Sequence, residues 1–371
     1  MSSKLCYVGK TAPRYREAIF QAMDKEYDID WYFGETRSDI KEMDLSKLKN
    51  FSLYKLWGNS DKCSWKRGII SLLFRKEYQN IMMHVETRAV SDWILVLLKS
   101  LFFRKKHLYT WAHGWYGKES KVEAAMKLWL YRRLTRIFVY GQHAKDLMVK
   151  NGVPEEKIFV IHNSLHYDEQ KALRESIQLS DIYKAHFGND CPVIVFIGRL
   201  TKVKKLDQLV DALQILKQKG ENYNLVFVGN GTEKEALEQK VANMGLNEHV
   251  WFYGACYDEK TNAELLYNAD LCVAPGNIGL TAMHSLVFGC PCVSHNCFKW
   301  QMPEFEAIHE GMTGSFFEMN NVESLADCIS KWFTAKNGKR EEVRQACFNE
   351  IDTAWNPYFQ MEVLRKNLNL L

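Results

Sequence analysis

The segment FIGRLTKVKKLDQLVDAL, residues 196–213, carries the most informative chemistry of the chain. A strand-like run ends at Gly198, and Arg199 and Lys204 follow it just before a helical pattern that begins at Leu206. Cations at the carboxyl end of a strand, beside the start of a helix, suit an anionic group such as a pyrophosphate. A solvated basic turn is the alternative, and the spacing alone does not exclude it.

Glycine follows four strand-like runs in the second half of the chain, at Gly198, Gly229, Gly254 and Gly276. A single glycine at such a position can simply turn the chain. A glycine there also lets a phosphate approach the backbone at the start of the next helix. Four of them on the same side of one sheet favour a nucleotide site.

Two other motifs give weaker evidence of function. Gly9-Lys10-Thr11 resembles the end of a P-loop, but that motif needs glycine at position 4, which is Lys4. The turn is therefore either a glycine-containing turn facing a cleft or an ordinary loop between a strand and a helix. The segment CPCVSHNC, residues 290–297, contains metal-ligand types without a second pair at zinc spacing, so we expect no metal site.

The elements that must position these residues alternate between strands and helices. KLCYV, IDWYF, IMMHV, HLYTW, RIFVY and IFVI are the predicted strands of the first half, each followed by room for a helix, and Pro13 opens a helix through Met23. The alternation stops after Leu165 and restarts at Val193. Alternating strands and helices predict parallel sheets. We expect domains at 1–168 and 192–350, a connection at 169–191 and a C-terminal helix within 351–371 that packs toward the first domain.

Composition excludes several classes of protein. The 371 residues are 47% hydrophobic and 25% charged, with a net charge of +4, which is typical of a globular chain and not of a disordered or nucleic-acid-binding one. Ten cysteines without a C-x-x-C pair, and an opening without an apolar signal region, predict a cytoplasmic location. The apolar run Trp93–Phe103 is too short to cross a membrane.

Several segments together resemble a known family. GRLTKVKK followed by LDQLVDAL is similar to the signature of the family-4 glycosyltransferases, which are retaining enzymes of GT-B fold. NLVFVGNGTEKEALE, HVWFYG, ELLYNADLCVAP and GLTAMHSLVFGCPCV resemble later family segments in the correct order, as do TWAHGW and VPEEKIFVIHNSL in the first half. The resemblance implies an α/β chain with two Rossmann-like domains facing across a cleft.

The resemblance also implies a function. The chain would move a hexose from a nucleoside-diphosphate donor, UDP- or GDP-linked, to a hydroxyl of a glycan or lipid-linked saccharide, as in polysaccharide, lipopolysaccharide or capsule synthesis. It would need no metal and no other cofactor. The alternatives are a sugar-nucleotide 2-epimerase of the same fold and a non-catalytic transferase-like subunit.

Site residues follow from the matching positions. The donor-binding candidates are Arg199, Lys204, Gly276, Asn277, Gly279, Leu280, Thr281 and His284. The family carries two glutamates on its donor helix, and here Gly276 and His284 occupy those positions. In the family the second glutamate holds the nucleotide ribose, so the resemblance implies that His284 contacts the ribose in its place; a neutral histidine can accept one hydrogen bond and donate another.

Catalytic and acceptor-side candidates lie elsewhere in the chain. His113 matches the histidine that contacts the donor sugar, with a core histidine as the alternative. Glu304 and Glu306 both lie in the segment PEFEAIHEGMTG, whose family counterpart contacts the sugar, and the sequence does not choose between them. Gly9, Lys10 and Arg14 are the candidates on the acceptor side.

A membrane surface is a further candidate partner. The apolar run Trp93–Phe103 is followed by Arg104, Lys105 and Lys106, and LWLYRRLTR from Leu128 again combines bulky apolar residues with cations. Such combinations bind anionic lipid leaflets. We expect peripheral contact with the inner face of the cell membrane, with an ordinary buried helix as the alternative for the apolar run.

Overall fold

The computed structural model describes residues 4–35, 41–59 and 62–370. The chain divides into two compact units. One comprises the residues up to His166 together with those from Asn356 onward, and the other is Tyr167–Trp355.

The first unit is built on parallel strands. Its strands are β1 (Lys4–Gly9), β2 (Ile29–Gly34), β3 (Phe51–Tyr54), β4 (Leu56–Asn59), β5 (Cys63–Lys66), β6 (Tyr78–Met83), β7 (His107–Ala112), β8 (Arg136–Val139) and β9 (Ile158–Val160). Seven of them form a sheet in the order β3-β2-β1-β6-β7-β8-β9, and β4 and β5 form a separate antiparallel hairpin. The first four helices are α1 (Glu17–Glu26), α2 (Val90–Phe102), α3 (Lys121–Arg132) and α4 (Gln142–Lys150).

Two expectations for this unit are wrong. The first helix does not open at Pro13, which has extended backbone; a 3₁₀ turn over Arg14–Arg16 precedes α1. Between β2 and β6, the described residues contain no α-helix but β3 and the hairpin. Phe51, Tyr54 and Trp57 there are residue types that favour strands. Gly58 lies within β4, opposite Ser64, with a φ of +86°.

The second unit begins with two helices in the segment that was expected to connect the domains. Its elements are α5 (Tyr167–Ser176), α6 (Ile182–Phe187), β10 (Val193–Ile197), α7 (Leu206–Gln218), β11 (Asn224–Val228), α8 (Lys234–Asn243), β12 (Val250–Gly254), α9 (Glu259–Asn268), β13 (Leu271–Ala274), α10 (Leu280–Val287), β14 (Cys292–His295), β15 (Gly314–Phe317), α11 (Val322–Lys336) and α12 (Arg340–Ala354). The strands form a parallel sheet in the order β12-β11-β10-β13-β14-β15. Leu209 and Val210 of α7 are fully buried, as the sequence predicts.

Both sheets reverse their strand order at one point. The reversal lies between β1 and β6 in the first unit and between β10 and β13 in the second. The loops that leave these two strands turn to opposite faces of the sheet, which opens a crevice at their carboxyl ends. Ligands of doubly wound α/β sheets bind at that crevice. A ligand site is therefore expected at the loops after β1 and β6 or at those after β10 and β13.

The last helix, α13 (Pro357–Asn367), belongs to the first unit and packs against α1. Asn356 caps its first turn by accepting a hydrogen bond from the Phe359 amide. The Arg365 guanidinium holds both carboxylate oxygens of Glu26, at 2.7 and 2.6 Å. The chain thus returns from the second sheet to complete the core of the first unit.

A buried lysine links the hairpin to the main sheet of the first unit. The side chain of Lys66, at the end of β5, is 1% exposed and donates to Asp92 Oδ2 and to the His84 carbonyl, both at 2.8 Å. Its ammonium also lies 3.3 Å from Glu86 Oε2. These contacts hold β5, the end of β6 and the first turn of α2 together.

We expect Lys66→Met to lower the free energy of unfolding by about 3–5 kcal/mol, because Asp92 would stay buried without its cation. Lys66→Met/Asp92→Asn should recover part of the loss. Urea unfolding followed by tryptophan fluorescence measures both, with Lys62→Met on the same hairpin as control. Equal losses for Lys66→Met and the control would contradict the role of the buried pair.

Candidate functional site

Two loops of the second unit are joined at the carboxyl ends of β10 and β13. The Lys204 ammonium donates to the backbone carbonyl of Asn277 at 2.6 Å and to its side-chain Oδ1 at 2.9 Å. The Gly276 amide donates to the Lys204 carbonyl at 2.9 Å. A Cβ on Gly276 would stand 2.0 Å from the Val203 carbonyl oxygen, so only glycine permits this approach. Three of the predicted donor-binding residues therefore meet at one place.

A buried glutamine supports the second loop from within the unit. Gln301 is 2% exposed, accepts from the Ile278 amide at 2.9 Å, and donates to Ser294 Oγ at 2.8 Å. Ser294 in turn donates to the Ala274 carbonyl at 2.9 Å. These bonds fix the loop against β13 and β14. The sequence reasoning missed Gln301, since an isolated glutamine carries no motif.

The start of α10 presents backbone amides beside these loops. Gly279 precedes the helix with φ +56° and ψ −146°, a conformation that only glycine adopts readily. Thr281 Oγ1 donates to the Ile197 carbonyl at 2.9 Å and thereby ties the helix start to the end of β10. The first amides of a helix carry partial positive charge, so the place favours an anion.

The cations of the site have unequal surroundings. Arg199 is exposed, whereas Lys204 is half-buried. Burial of the Lys204 ammonium lowers its pKa to about 8; the Glu304 carboxylate opposes this shift and the Arg199 guanidinium adds to it. Glu304 is 3% exposed, while Glu306 is half-buried. Of these two glutamates, Glu304 is thus the one whose charge acts on Lys204.

His284 lies one turn into α10 with two neighbours from other helices. Its Nδ1 is 3.5 Å from Gln170 Nε2 on α5 and 4.0 Å from Glu259 Oε1 on α9. Gln170 Nε2 also donates to Glu259 Oε1 at 2.6 Å. The sequence reasoning missed both neighbours, because they lie 114 and 25 positions from His284 along the chain.

A second polar pocket lies in the first unit, at the carboxyl ends of β1, β6 and β7. Its volume is about 270 Å³, and its lining includes Lys10, His84, Glu86, His113, Tyr116 and Lys127. Burial lowers the pKa of His113 to about 3, so that its ring is neutral at neutral pH. Its Nδ1 is buried without a hydrogen-bond partner among the described residues.

Glu86 is the carboxylate of this pocket. Burial opposes its ionisation, but the nearby Lys66, His84 and Lys10, with Lys66 contributing most, together hold the pKa of Glu86 below the usual range. The Lys10 ammonium lies 3.5 Å from Glu86 Oε1. Gly9 ends β1 beside Lys10, whereas Arg14 is exposed and Arg16 of the same 3₁₀ turn is buried over the Trp111 ring. Arg14 is therefore not among the residues that line the pocket.

Potential metal ligands do not cluster in the residues that the structure describes: nowhere do three or more histidine, cysteine, aspartate or glutamate side chains come close enough to hold an ion. In the segment 290–297, Cys290 and Cys292 are buried, and His295 Nδ1 accepts from the Cys297 amide. This segment is part of the core around β14.

Comparison with known proteins places the second unit in a family. Residues 178–349 match the family model described as glycosyl transferases group 1. The match covers most of the second unit and somewhat less than half of the chain. The family was predicted from GRLTKVKK and the segments after it, and that prediction is confirmed.

Curated relatives match parts of the chain. An uncharacterised glycosyltransferase of Methanocaldococcus jannaschii, MJ1607, is 28% identical over 259 residues, which are 64% of this chain and 63% of that protein. A GDP-mannose-dependent phosphatidylinositol dimannoside mannosyltransferase of Mycobacterium tuberculosis is 36% identical over 27% of this chain and 26% of its own length. The matched segments thus span less than two thirds of these relatives.

Solved structures match the whole chain. HepE of Anabaena, in its complex with UDP, has a TM-score of 0.70 at 14% identity, covering 98% of this chain and 99% of that one. Another structure of HepE contains UDP-glucose. At this identity the likeness shows the fold, which is GT-B, with two Rossmann-like units as predicted.

The charges around Lys204 can be tested without any ligand. Arg199→Met should raise the pKa of Lys204, because a repelling cation is removed, and Glu304→Gln should lower it, because an attracting anion is removed. Side-chain NMR of lysine-labelled protein follows the titration, with Lys204→Arg identifying the signal. Shifts in the same direction for both variants would contradict this arrangement.

Proposed function

We propose that this chain is a retaining glycosyltransferase that transfers a hexose from a nucleoside-diphosphate donor to a hydroxyl of a glycan or lipid-linked saccharide. The observation that carries the proposal is the junction of Lys204 with Asn277 and Gly276 beside the start of α10. It places the Lys204 ammonium and the first backbone amides of α10 close to the point where the strand order of the sheet reverses. That is where a diphosphate would lie.

The mechanism follows from the charge that develops during transfer. The bond from the anomeric carbon to the diphosphate oxygen breaks, and a bond to the acceptor oxygen forms on the same face. The acceptor's proton passes to the departing oxygen on that face. Lys204, Arg199 and the first amides of α10 stabilise the leaving diphosphate, a kind of electrostatic help that lowers barriers by several kcal/mol. No metal ion is needed in this scheme.

The donor nucleotide is proposed to be UDP or GDP. HepE, which shares the fold, binds UDP and UDP-glucose, and the mycobacterial relative depends on GDP-mannose. Glu304, buried and acting on Lys204, is the better candidate of the two glutamates for contact with the sugar.

The pocket of the first unit is proposed as the acceptor side. His113 lines this pocket with a neutral ring, which can hydrogen-bond a sugar hydroxyl. Glu86, held ionised by Lys66, can accept a hydrogen bond from an acceptor hydroxyl. At about 270 Å³, the pocket is at the small end of ligand pockets, which suits one sugar ring.

The function is tested with labelled UDP- and GDP-sugars. Transfer or slow hydrolysis supports the proposal; an isomerised sugar would show a 2-epimerase, and binding without product a non-catalytic subunit. Lys204→Ala should lower kcat/KM by about 10- to 150-fold, the value of a charge-assisted hydrogen bond of about 1.5–3 kcal/mol. Lys202→Ala, in the same loop but exposed, is the control. Full activity of Lys204→Ala would contradict the proposed role of Lys204 in stabilising the leaving diphosphate.

We propose in addition that the first unit contacts an anionic membrane through one face, the α2 face. It consists of the exposed side chains of Leu97, Leu101, Phe102, Phe74, Arg75, Lys76, Arg104 and Lys105. The Phe74 and Phe103 rings meet edge to face with centroids 5.1 Å apart, which joins the two segments. Apolar side chains ringed by cations match the charge of an acidic leaflet. Among the described helices, none is long and apolar enough to span a bilayer.

Two of the basic residues singled out in the sequence serve the fold instead. Lys106 is 7% exposed and donates to the carbonyls of Arg75 and Tyr78. Arg133 donates to the Trp129 carbonyl and stacks on its ring. Neither belongs to the α2 face.

Arg104→Gln/Lys105→Gln should weaken binding to phosphatidylserine-containing vesicles by about 30-fold, at about 1 kcal/mol per cation near the surface. The binding should fall with added salt. Vesicle flotation measures it, and Lys25→Gln/Lys150→Gln, which changes the net charge equally, is the control. Flotation of neither the unchanged protein nor the control at low salt would indicate a soluble acceptor.

A further inference from the structure

Three helices of the second unit bring a carboxylate, an amide and an imidazole together. Glu259 of α9 accepts from Gln170 of α5 at 2.6 Å and lies 4.0 Å from the ring of His284 on α10. The side chains of Glu259 and His284 are 25% and 33% exposed, so solvent reaches both. Gln170 is 2% exposed. The buried Gln170 side chain therefore holds the cluster in place, while the side chains of Glu259 and His284 remain accessible to a ligand.

The cluster lies at a defined distance from the start of α10. His284 follows Leu280 by four residues, which places both on one face of the helix, about 6 Å apart along its axis. In a nucleoside diphosphate, one methylene separates the ribose from the nearer phosphate. A diphosphate at the first amides of α10 therefore places its ribose beside His284 and Glu259.

The chemistry of the ribose favours a carboxylate there. Its 2′- and 3′-hydroxyls both donate, and an ionised carboxylate only accepts, with two oxygens for the two donors. A neutral imidazole accepts only one such bond. Glu259 is in the first turn of α9, where the helix dipole stabilises its negative charge. Glu259 thus supplies what His284 lacks.

We propose that Glu259 binds the ribose 2′,3′-diol of the donor nucleotide, a proposal that rests on the proposed function. Gln170 is a positioning residue: its amide occupies one side of Glu259 Oε1 and leaves Oε2 for the ligand. His284 contributes one further hydrogen bond. The carboxylate reaches the ribose from α9, although the family position on α10 holds a histidine.

Isothermal titration with UDP and GDP, with the 2′,3′-dideoxy analogue of the tighter one, and with pyrophosphate tests the proposal. The unchanged protein should bind the nucleotide about 10- to 100-fold more tightly than its dideoxy analogue. Glu259→Gln should lose most of this preference while binding the dideoxy analogue and pyrophosphate as before. Glu264→Gln, on the same helix, should keep the preference.

Three outcomes separate the proposals. If Glu259→Gln retains the full preference, or weakens the nucleotide and its dideoxy analogue equally, the ribose assignment is wrong while the proposed function stands. If neither nucleotide binds the unchanged protein, both fail. Gln170→Met, which leaves Glu259 in place but unanchored, should reduce the preference in part, and it provides the test if Glu259→Gln does not fold.

Discussion

The contact between the Lys204 ammonium and the carbonyl of Asn277 is the interaction on which the second unit's site depends. It joins the loop after β10 to the loop after β13 at the one place where the strand order reverses. Without this contact, the half-buried Lys204 ammonium would lose the carbonyl that accepts its hydrogen bond, and the two loops would lose one of the bonds that join them. The first amides of α10 follow directly on the second loop, and His284, which meets Glu259 and Gln170, lies one turn further along that helix.

Much of this arrangement could be predicted from the sequence. Buried parallel strands are short apolar runs, and those of the second unit from β10 to β14 were all predicted, the first four with a glycine at or just after their ends. The strands β3, β4 and β5 were not, because they are not continuous apolar runs; most side chains of β3 and β4 are exposed. Lys204 was identified from its place between a strand and a helix. Arg14 was named with Gly9 and Lys10, but sequence order cannot show which side chains of a turn face a pocket, and Arg14 is exposed outside it.

What the sequence could not provide is contact between distant residues. Glu259 and Gln170 carry no motif, and only the packing of α5, α9 and α10 brings them to His284. Glu86 is similar, because its charge depends on Lys66 in a hairpin that was not foreseen. Lys106 misled for the opposite reason: next to Arg104 and Lys105 it completes a basic run, yet its ammonium is enclosed by two backbone carbonyls.

The loops after β10 and β13 are joined largely through main-chain groups, and this joined frame has an evolutionary consequence. The Gly276 amide, the carbonyls of Lys204 and Asn277 and the first amides of α10 are the same atoms in any sequence that keeps the two glycines. Side chains on the rim are then free to vary without loss of the scaffold. The histidine at 284, where the family resemblance implies a glutamate, is the kind of change that such a frame tolerates.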